Sequence, residues 1–215
     1  MELTWYGLGC FRLTERGLPS VVMDPLDPDE AGLGLGQLQA EIVTTSRLAD
    51  DPRTLVWPQV CGVSRTIASP GEYEIGGVFV TGVACLPAAN EDAGVQEYVV
   101  YTVGYGAVVV CHLGELSRVP TQSQVEAIGP VTVLLIPVGI PDGLTPAMAS
   151  ETVSLIEPEI VIPMQYHSPG LKVDRNSLDG FLKELGVSES EPLPSLKVTD
   201  GVESEETQVV VLAPQ

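Results

Sequence analysis

This sequence predicts a mixed α/β fold of the α+β kind: a four-layer αββα sandwich with two sheets packed face to face and helices outside. Three observations carry that expectation. The first half of the chain is a series of short apolar or β-branched runs broken by Gly and Pro. The second half alternates continuous apolar runs with segments of helical periodicity. The 215 residues, 44% apolar and 18% charged, are enough to bury a sizeable core, so one domain over residues 1–215 is expected.

Residues 2–7, 10–14 and 20–24 read as strands separated by turn residues, and 41–45 and 54–57 follow in the same style. Residues 72–75 and 78–83 flank Gly76-Gly77, a hairpin signal because glycine reaches the positive φ that tight turns need. Residues 97–103 and 107–111 stand in the same relation around Gly104-Tyr105-Gly106. The apolar runs 131–137 and 160–164 are the pattern of strands buried on both faces. Between them, Thr145-Pro146 places an N-cap before proline at the first helical position and predicts a helix through Ile156. Residues 121–128 open with Thr and carry apolar residues at helical spacing. In 176–185, Leu178, Phe181, Leu182 and Leu185 share one face, and Gly186 supplies the stop. Residues 208–212 form a last strand, and the polar segments 188–191 and 200–206 are surface loops. No internal repeat is visible.

Twenty-nine acidic residues against 10 basic give a net charge of −19, which excludes the clustered Lys and Arg that nucleic acids or anionic membranes require. No apolar run reaches the roughly 18–20 residues that cross a bilayer. The opening segment has no basic stretch followed by an apolar one, so no signal peptide and a cytoplasmic location are expected. Cys10, Cys61, Cys85 and Cys111 show no C-x-x-C spacing and read as buried reduced thiols, with disulfides or a thiolate metal site as the alternatives. Gly32-Leu-Gly-Leu-Gly36 lacks the strand and helix of a phosphate loop and reads as a surface loop. There is no G-x-S-x-G elbow. Trp5 and Trp57 read as core or sheet-packing residues. The sequence leaves open a homo-oligomer and an unidentified small-molecule ligand.

Met1-Glu-Leu-Thr-Trp-Tyr-Gly-Leu-Gly-Cys-Phe11 and Val22-Met-Asp-Pro25 are followed by Ser69-Pro-Gly-Glu-Tyr-Glu-Ile-Gly-Gly77 and Cys111-His-Leu-Gly-Glu115. Leu134-Leu-Ile-Pro-Val-Gly139 and Glu157-Pro-Glu-Ile-Val-Ile-Pro-Met164 complete the set. Together these blocks resemble the metallo-β-lactamase superfamily, in its ascorbate-6-phosphate lactonase-like branch. The resemblance implies the metallo-β-lactamase fold and a dinuclear zinc or manganese hydrolase.

The metal motifs depart from it. Where the family has H-x-H-x-D-H, this chain reads Thr45-Ser-Arg-Leu-Ala-Asp50, so Thr45, Arg47, Ala49 and Asp50 stand at ligand positions. Arg47 is a donor-only cation and repels a metal. The next histidine aligns near Pro87, the bridging aspartate with Glu115, and the final histidine with Gln165, a weak ligand for zinc. Leu8 replaces a histidine often seen in the opening block. The chain has only two histidines, His112 and His167. Asp24 matches a carboxylate that orients a metal-bound histidine in relatives; with no such histidine it reads as a strand-end residue capping backbone amides. His112 reads as structural. His167, two residues past the lost ligand, is expected near the pocket mouth and is a weak general-base candidate with Glu115 or Asp50.

These substitutions predict a pseudoenzyme: a metallo-β-lactamase-fold protein without its dinuclear site or metal cofactor, acting in binding or assembly. The alternative is a divergent hydrolase of a lactone, ester or phosphate, with manganese, magnesium or calcium on Asp50, Asp51, Glu115 and Gln165. A third reading is a structural subunit that assembles with an active paralogue. If the site carries no metal, Arg47 is expected to pair with Glu115 or Asp50 and fill the cavity.

Overall fold

The computed structural model describes residues 1–32, 36–47, 55–85, 98–188, 190–199 and 207–215. The first half supplies β1 (Glu2–Trp5), β2 (Phe11–Thr14), β3 (Val21–Met23), α1 (Pro28–Ala31), β4 (Leu38–Gln39) and β5 (Ile42–Thr44). It continues with β6 (Val60–Cys61), β7 (Arg65–Ile67), β8 (Gly71–Ile75) and β9 (Val78–Cys85). The second half supplies β10 (Tyr98–Tyr105), β11 (Val108–His112), α2 (Gln122–Ile128), β12 (Val133–Pro137) and α3 (Pro146–Ile156). It ends with β13 (Ile160–Met164), α4 (Asp179–Glu184), β14 (Leu196–Lys197) and β15 (Gln208–Val209).

Two mixed sheets result. The six-stranded sheet runs β14-β1-β2-β3-β5-β7, antiparallel from β14 to β3 and parallel from β3 to β7. The seven-stranded sheet runs β15-β13-β12-β11-β10-β9-β8, antiparallel through the β8–β11 meander and parallel from β11 to β15. One apolar cluster joins them: Trp5, Phe11, Leu13, Val21 and Met23 from the first sheet meet Val80, Val103 and Val110 from the second. β12 and β13 are buried at every position; α3 packs on β12 and α4 on α3, with Val153, Ile156 and Phe181 in the core cluster, while α2, with Ile128 buried, packs on β9 and β10.

The six-stranded sheet is buried on its outer face too. Successive strand residues point to opposite faces, so Val22 and Val43 turn away from Val21, Met23 and Ile42. They join Leu8, Cys10, Leu26 and Ala31 in a second apolar cluster, capped by α1 and the two-stranded β4–β6 sheet. This is the αββα sandwich, with its outer layer on this side made of short pieces.

Several boundaries differ from expectation, each for a tertiary reason. No strand forms over Leu55, Val56 and Trp57. The second hairpin turns at Gly106-Ala107, since Tyr105 still pairs with Val108. The Tyr105 hydroxyl donates to Pro19 O at 2.7 Å, which holds the ring between the sheets and keeps the residue in its strand. α4 starts at Asp179 because the Asn176 backbone is already bonded, its N–H to Gly139 O at 2.7 Å and its carbonyl to His167 N at 2.9 Å. β15 ends at Val209, beyond which Leu212 bridges Leu193.

Candidate functional site

Four strands end on the same side of the sandwich: β3 and β5 of one sheet, β11 and β13 of the other. The residues just past those ends, together with the Leu8-Gly9 turn, enclose a cavity of about 190 Å³. Asp24 follows β3, Thr45 and Arg47 follow β5, Glu115 follows β11 and Gln165 follows β13; all five line it. Leu8, Asp24 and Gln165 all have left-handed backbone, at φ 48°, 42° and 61°. Such conformations are costly for a residue with a Cβ and persist only where the surroundings over-determine them.

Asp24 is fixed by Ser46, whose backbone N–H donates to Oδ1 at 2.5 Å and whose hydroxyl donates to Oδ2 at 2.6 Å. Its carboxylate therefore ties the end of β3 to the segment after β5. His112 is buried behind Asp24. Its Nδ1 accepts from Gly114 N at 3.0 Å, which leaves Nε2 to donate to Gly9 O at 2.8 Å and sets the neutral tautomer. Both contacts brace the turns that frame the cavity.

Arg47 and Glu115 do pair, but loosely. Nη2 and Oε1 are 3.5 Å apart and the Arg47 side chain is 67% exposed, so the pair sits at the rim and leaves the cavity unfilled. An exposed pair of this kind contributes about 0–1 kcal/mol. The guanidinium inside is Arg175, which sequence reasoning missed. Its Nε and Nη2 donate to Gln165 Oε1 at 3.2 and 3.1 Å, and Nη1 donates to Asp174 O at 2.7 Å. Burial pulls the Arg175 pKa below the usual arginine value and Arg47 adds to that; Glu115 and Asp174 oppose it. Its signal in the sequence was scarcity: it is one of only 10 basic residues.

Arginine only donates, so the two bonds from Arg175 assign the Gln165 amide, with oxygen toward the guanidinium and NH2 away. The NH2 lies beside Gly9, where an added Cβ would stand 3.1 Å from Nε2. Trp57 also lines the cavity, half-buried against the second apolar cluster, and its buried Nε1 has no acceptor among the described residues. It is therefore a cavity residue as well as a packing one.

His167 is not among the cavity residues, contrary to expectation. It is exposed, because Tyr166 before it is anchored in the core. The Tyr166 ring lies 5.1 Å from Trp5 and its hydroxyl donates to Leu212 O at 3.3 Å. The chain then leaves the site through the bond from His167 N to Asn176 O. Ala49, Asp50, Asp51 and Pro87 lie outside the described residues, as do residues 33–35 of the glycine-rich stretch and 200–206. Cys10, Cys85 and Cys111 are buried, Cys61 is half-buried, and all four are free thiols. Burial pushes Cys10 up to about 12, with Asp24 adding to the shift and a backbone bond at Leu26 opposing it.

The model of the beta-lactamase superfamily domain matches residues 2–165, ending on Gln165 of this cavity. The chain belongs to that superfamily. Its structure is similar to that of a candidate Zn-dependent hydrolase of the metallo-β-lactamase superfamily from Thermotoga maritima, with TM-score 0.79 and 32% identity over 98% of this chain and 97% of that one. A metallo hydrolase from Ignicoccus hospitalis, 16% identical, shares the fold with TM-score 0.62 over 92% of this chain and 99% of that one. A UPF0173 protein of Pyrococcus abyssi is 24% identical over 198 residues, 86% of this chain and 90% of its own.

Among the described residues, the side chains at the former ligand positions do not fit the superfamily's metal centre. Asp24 is taken up by two donors of Ser46, and the Gln165 oxygen by Arg175. Glu115 faces Arg47 at 3.5 Å. Among the described residues, no group of three or more His, Cys, Asp and Glu is placed to hold a metal ion. Two guanidiniums in the same cavity oppose a divalent cation electrostatically.

Proposed function

We propose that this chain is a non-catalytic binding member of the superfamily, in which a guanidinium network has replaced the dinuclear metal centre. The observation that carries the reading is the Arg175–Gln165 contact. The residue matching the family's last metal-binding histidine turns its one ligating oxygen onto a cation. Histidine there would present a neutral nitrogen to a metal; here the acceptor is already spent. Hydrolysis by this fold relies on a metal-activated water, and His167, the imidazole expected near the pocket mouth, does not line the cavity. Four free cysteines support a reducing, cytoplasmic setting, and the net charge of −19 argues against nucleic acid as a partner.

Elemental analysis of untagged protein, with melting scans against zinc, manganese and magnesium, tests this. A ligand at 100 times its Kd stabilises the native state by about 2.7 kcal/mol, a shift well within reach of a melting scan. The expected result is no stoichiometric metal and no shift. A stoichiometric metal lost in Glu115→Ala or Asp50→Ala would overturn the reading and restore the divergent hydrolase.

A further inference from the structure

The cavity is lined by two guanidiniums, although the protein as a whole is strongly acidic. Arg175 is half-buried and contacts only neutral oxygens, those of Gln165 and of the Asp174 backbone; no carboxylate is within ion-pair distance among the described residues. Gln165 is 4% exposed, and its NH2 lies beside Gly9 in the cavity wall. The buried Trp57 Nε1 has no acceptor among the described residues. A buried donor without an acceptor is costly, so this indole N–H, lining the same cavity as a guanidinium that contacts no carboxylate, describes a site shaped for something else to accept.

We infer that the cavity receives a small organic monoanion, a carboxylate on a compact apolar body, held by Arg175, Gln165 Nε2 and Trp57 Nε1. The apolar body is accommodated by Leu8, Leu26 and Val173, which share the cavity with these donors. The volume of about 190 Å³ lies below the roughly 300–1,000 Å³ of pockets for drug-sized ligands, which limits the guest to a body no larger than a single ring beyond its carboxylate. Charge limits it further. Asp24 and Glu115 line the same cavity, so a second negative charge on the ligand meets repulsion that one carboxylate on Arg175 avoids. This selects a carboxylate over a phosphate dianion. Planar carboxylate also matches the guanidinium fork.

The inference rests on the metal-free reading, and its test separates the two. Benzoate, benzamide and inorganic phosphate are titrated into chelator-treated protein by calorimetry, with indole fluorescence as a second readout, and then again after zinc is added. Benzoate is expected to bind without metal, with affinity falling as salt rises, while benzamide and phosphate bind at least tenfold more weakly. Arg175→Met and Gly9→Ala should each weaken benzoate at least tenfold. Gly9→Ala keeps every charge and crowds the Gln165 NH2 with a methyl group 3.1 Å away. Melting temperatures without ligand establish that both variants are folded. No benzoate binding by metal-free protein, equal binding of phosphate, or wild-type affinity in both folded variants would each overturn the inference and leave the metal-free reading standing. Benzoate binding only with stoichiometric zinc would overturn both.

Discussion

Arg175 clamps Gln165 from across the cavity, Nε at 3.2 Å and Nη2 at 3.1 Å converging on one amide oxygen. Restoring a histidine at this position should not restore metal binding. The left-handed backbone at φ 61° tolerates histidine, so Gln165→His is expected to fold. The new imidazole would still stand beside the Arg175 guanidinium, with Arg47 at the rim of the same cavity. Equilibrium dialysis against zinc should find less than a tenth of an equivalent bound, and a full equivalent would show that the arginines are not what excludes the cation.

The Asp24–Ser46 link predicts a stability effect. Hydrogen bonds to a charged acceptor contribute about 1.5–3 kcal/mol against about 0.5–1.5 for neutral ones. Asp24→Asn keeps the shape and tolerates φ 42° but removes the charge. Urea denaturation should show a loss of about 1–3 kcal/mol, and Ser46→Ala, which removes only the 2.6 Å hydroxyl bond, a smaller one. Equal stability of Asp24→Asn and wild type would mean that the carboxylate is not what ties these segments together.

The elements that the sequence made legible are those whose own side chains decide their state. β13 needs only five consecutive apolar residues, and α3 only Thr145-Pro146 followed by helical spacing; Met148 N does donate to Thr145 Oγ1 at 3.3 Å. Tyr105 stays in its strand because of a bond to Pro19, 86 residues away, which no local pattern contains. The candidate site divides the same way. Thr45, Arg47, Glu115 and Gln165 were reachable because they stand where a family motif had been altered. Arg175 and Trp57 belong to no such motif, and their place at the cavity depends on where the chain runs after β13 and before β6. His167 failed because proximity along the chain was taken for proximity in space, and Tyr166 breaks that connection.

Buried thiols and phenols set an alkaline limit on stability. Burial raises Cys10 from 9.0 to about 12 and Cys85 to about 11, and it raises Tyr101 and Tyr105 as well. Above about pH 9 the unfolded chain loses thiol protons that the native state retains, so the unfolded state binds fewer protons and stability falls as pH rises. Below pH 9 these cysteines are protonated in both states and contribute no slope. Urea midpoints at pH 7, 8, 9 and 10 should be level at first and then decline, with Cys10→Ala declining less. A midpoint that rises through this range would contradict the burial of these groups. Thiol reagents at pH 8 should label Cys61 alone in the native protein.

Gly139 is where three backbones meet, and it supplies the sharpest test of how the site is held. An added Cβ would lie 2.5 Å from Tyr166 Cα, 2.6 Å from Gln165 O and 2.8 Å from Asn176 O. All three are backbone atoms, so no side chain can rotate away to make room. The same crossing carries the bond from Asn176 N to Gly139 O at 2.7 Å, one residue past Arg175. Gly139→Ala must therefore move either the end of β13 or the segment that presents Arg175. Overpacking of this kind costs about 1–3 kcal/mol. Because the shift is carried to both partners of the clamp, benzoate affinity should fall in the folded variant as well. Gly106→Ala is the control: its φ of 63° strains an alanine, but nothing lies within 4 Å of the added carbon, and the hairpin is away from the cavity. It should lose about 1–2 kcal/mol and keep wild-type benzoate affinity. If Gly139→Ala also kept that affinity, the contact between Gln165 and Arg175 would not be what shapes the site.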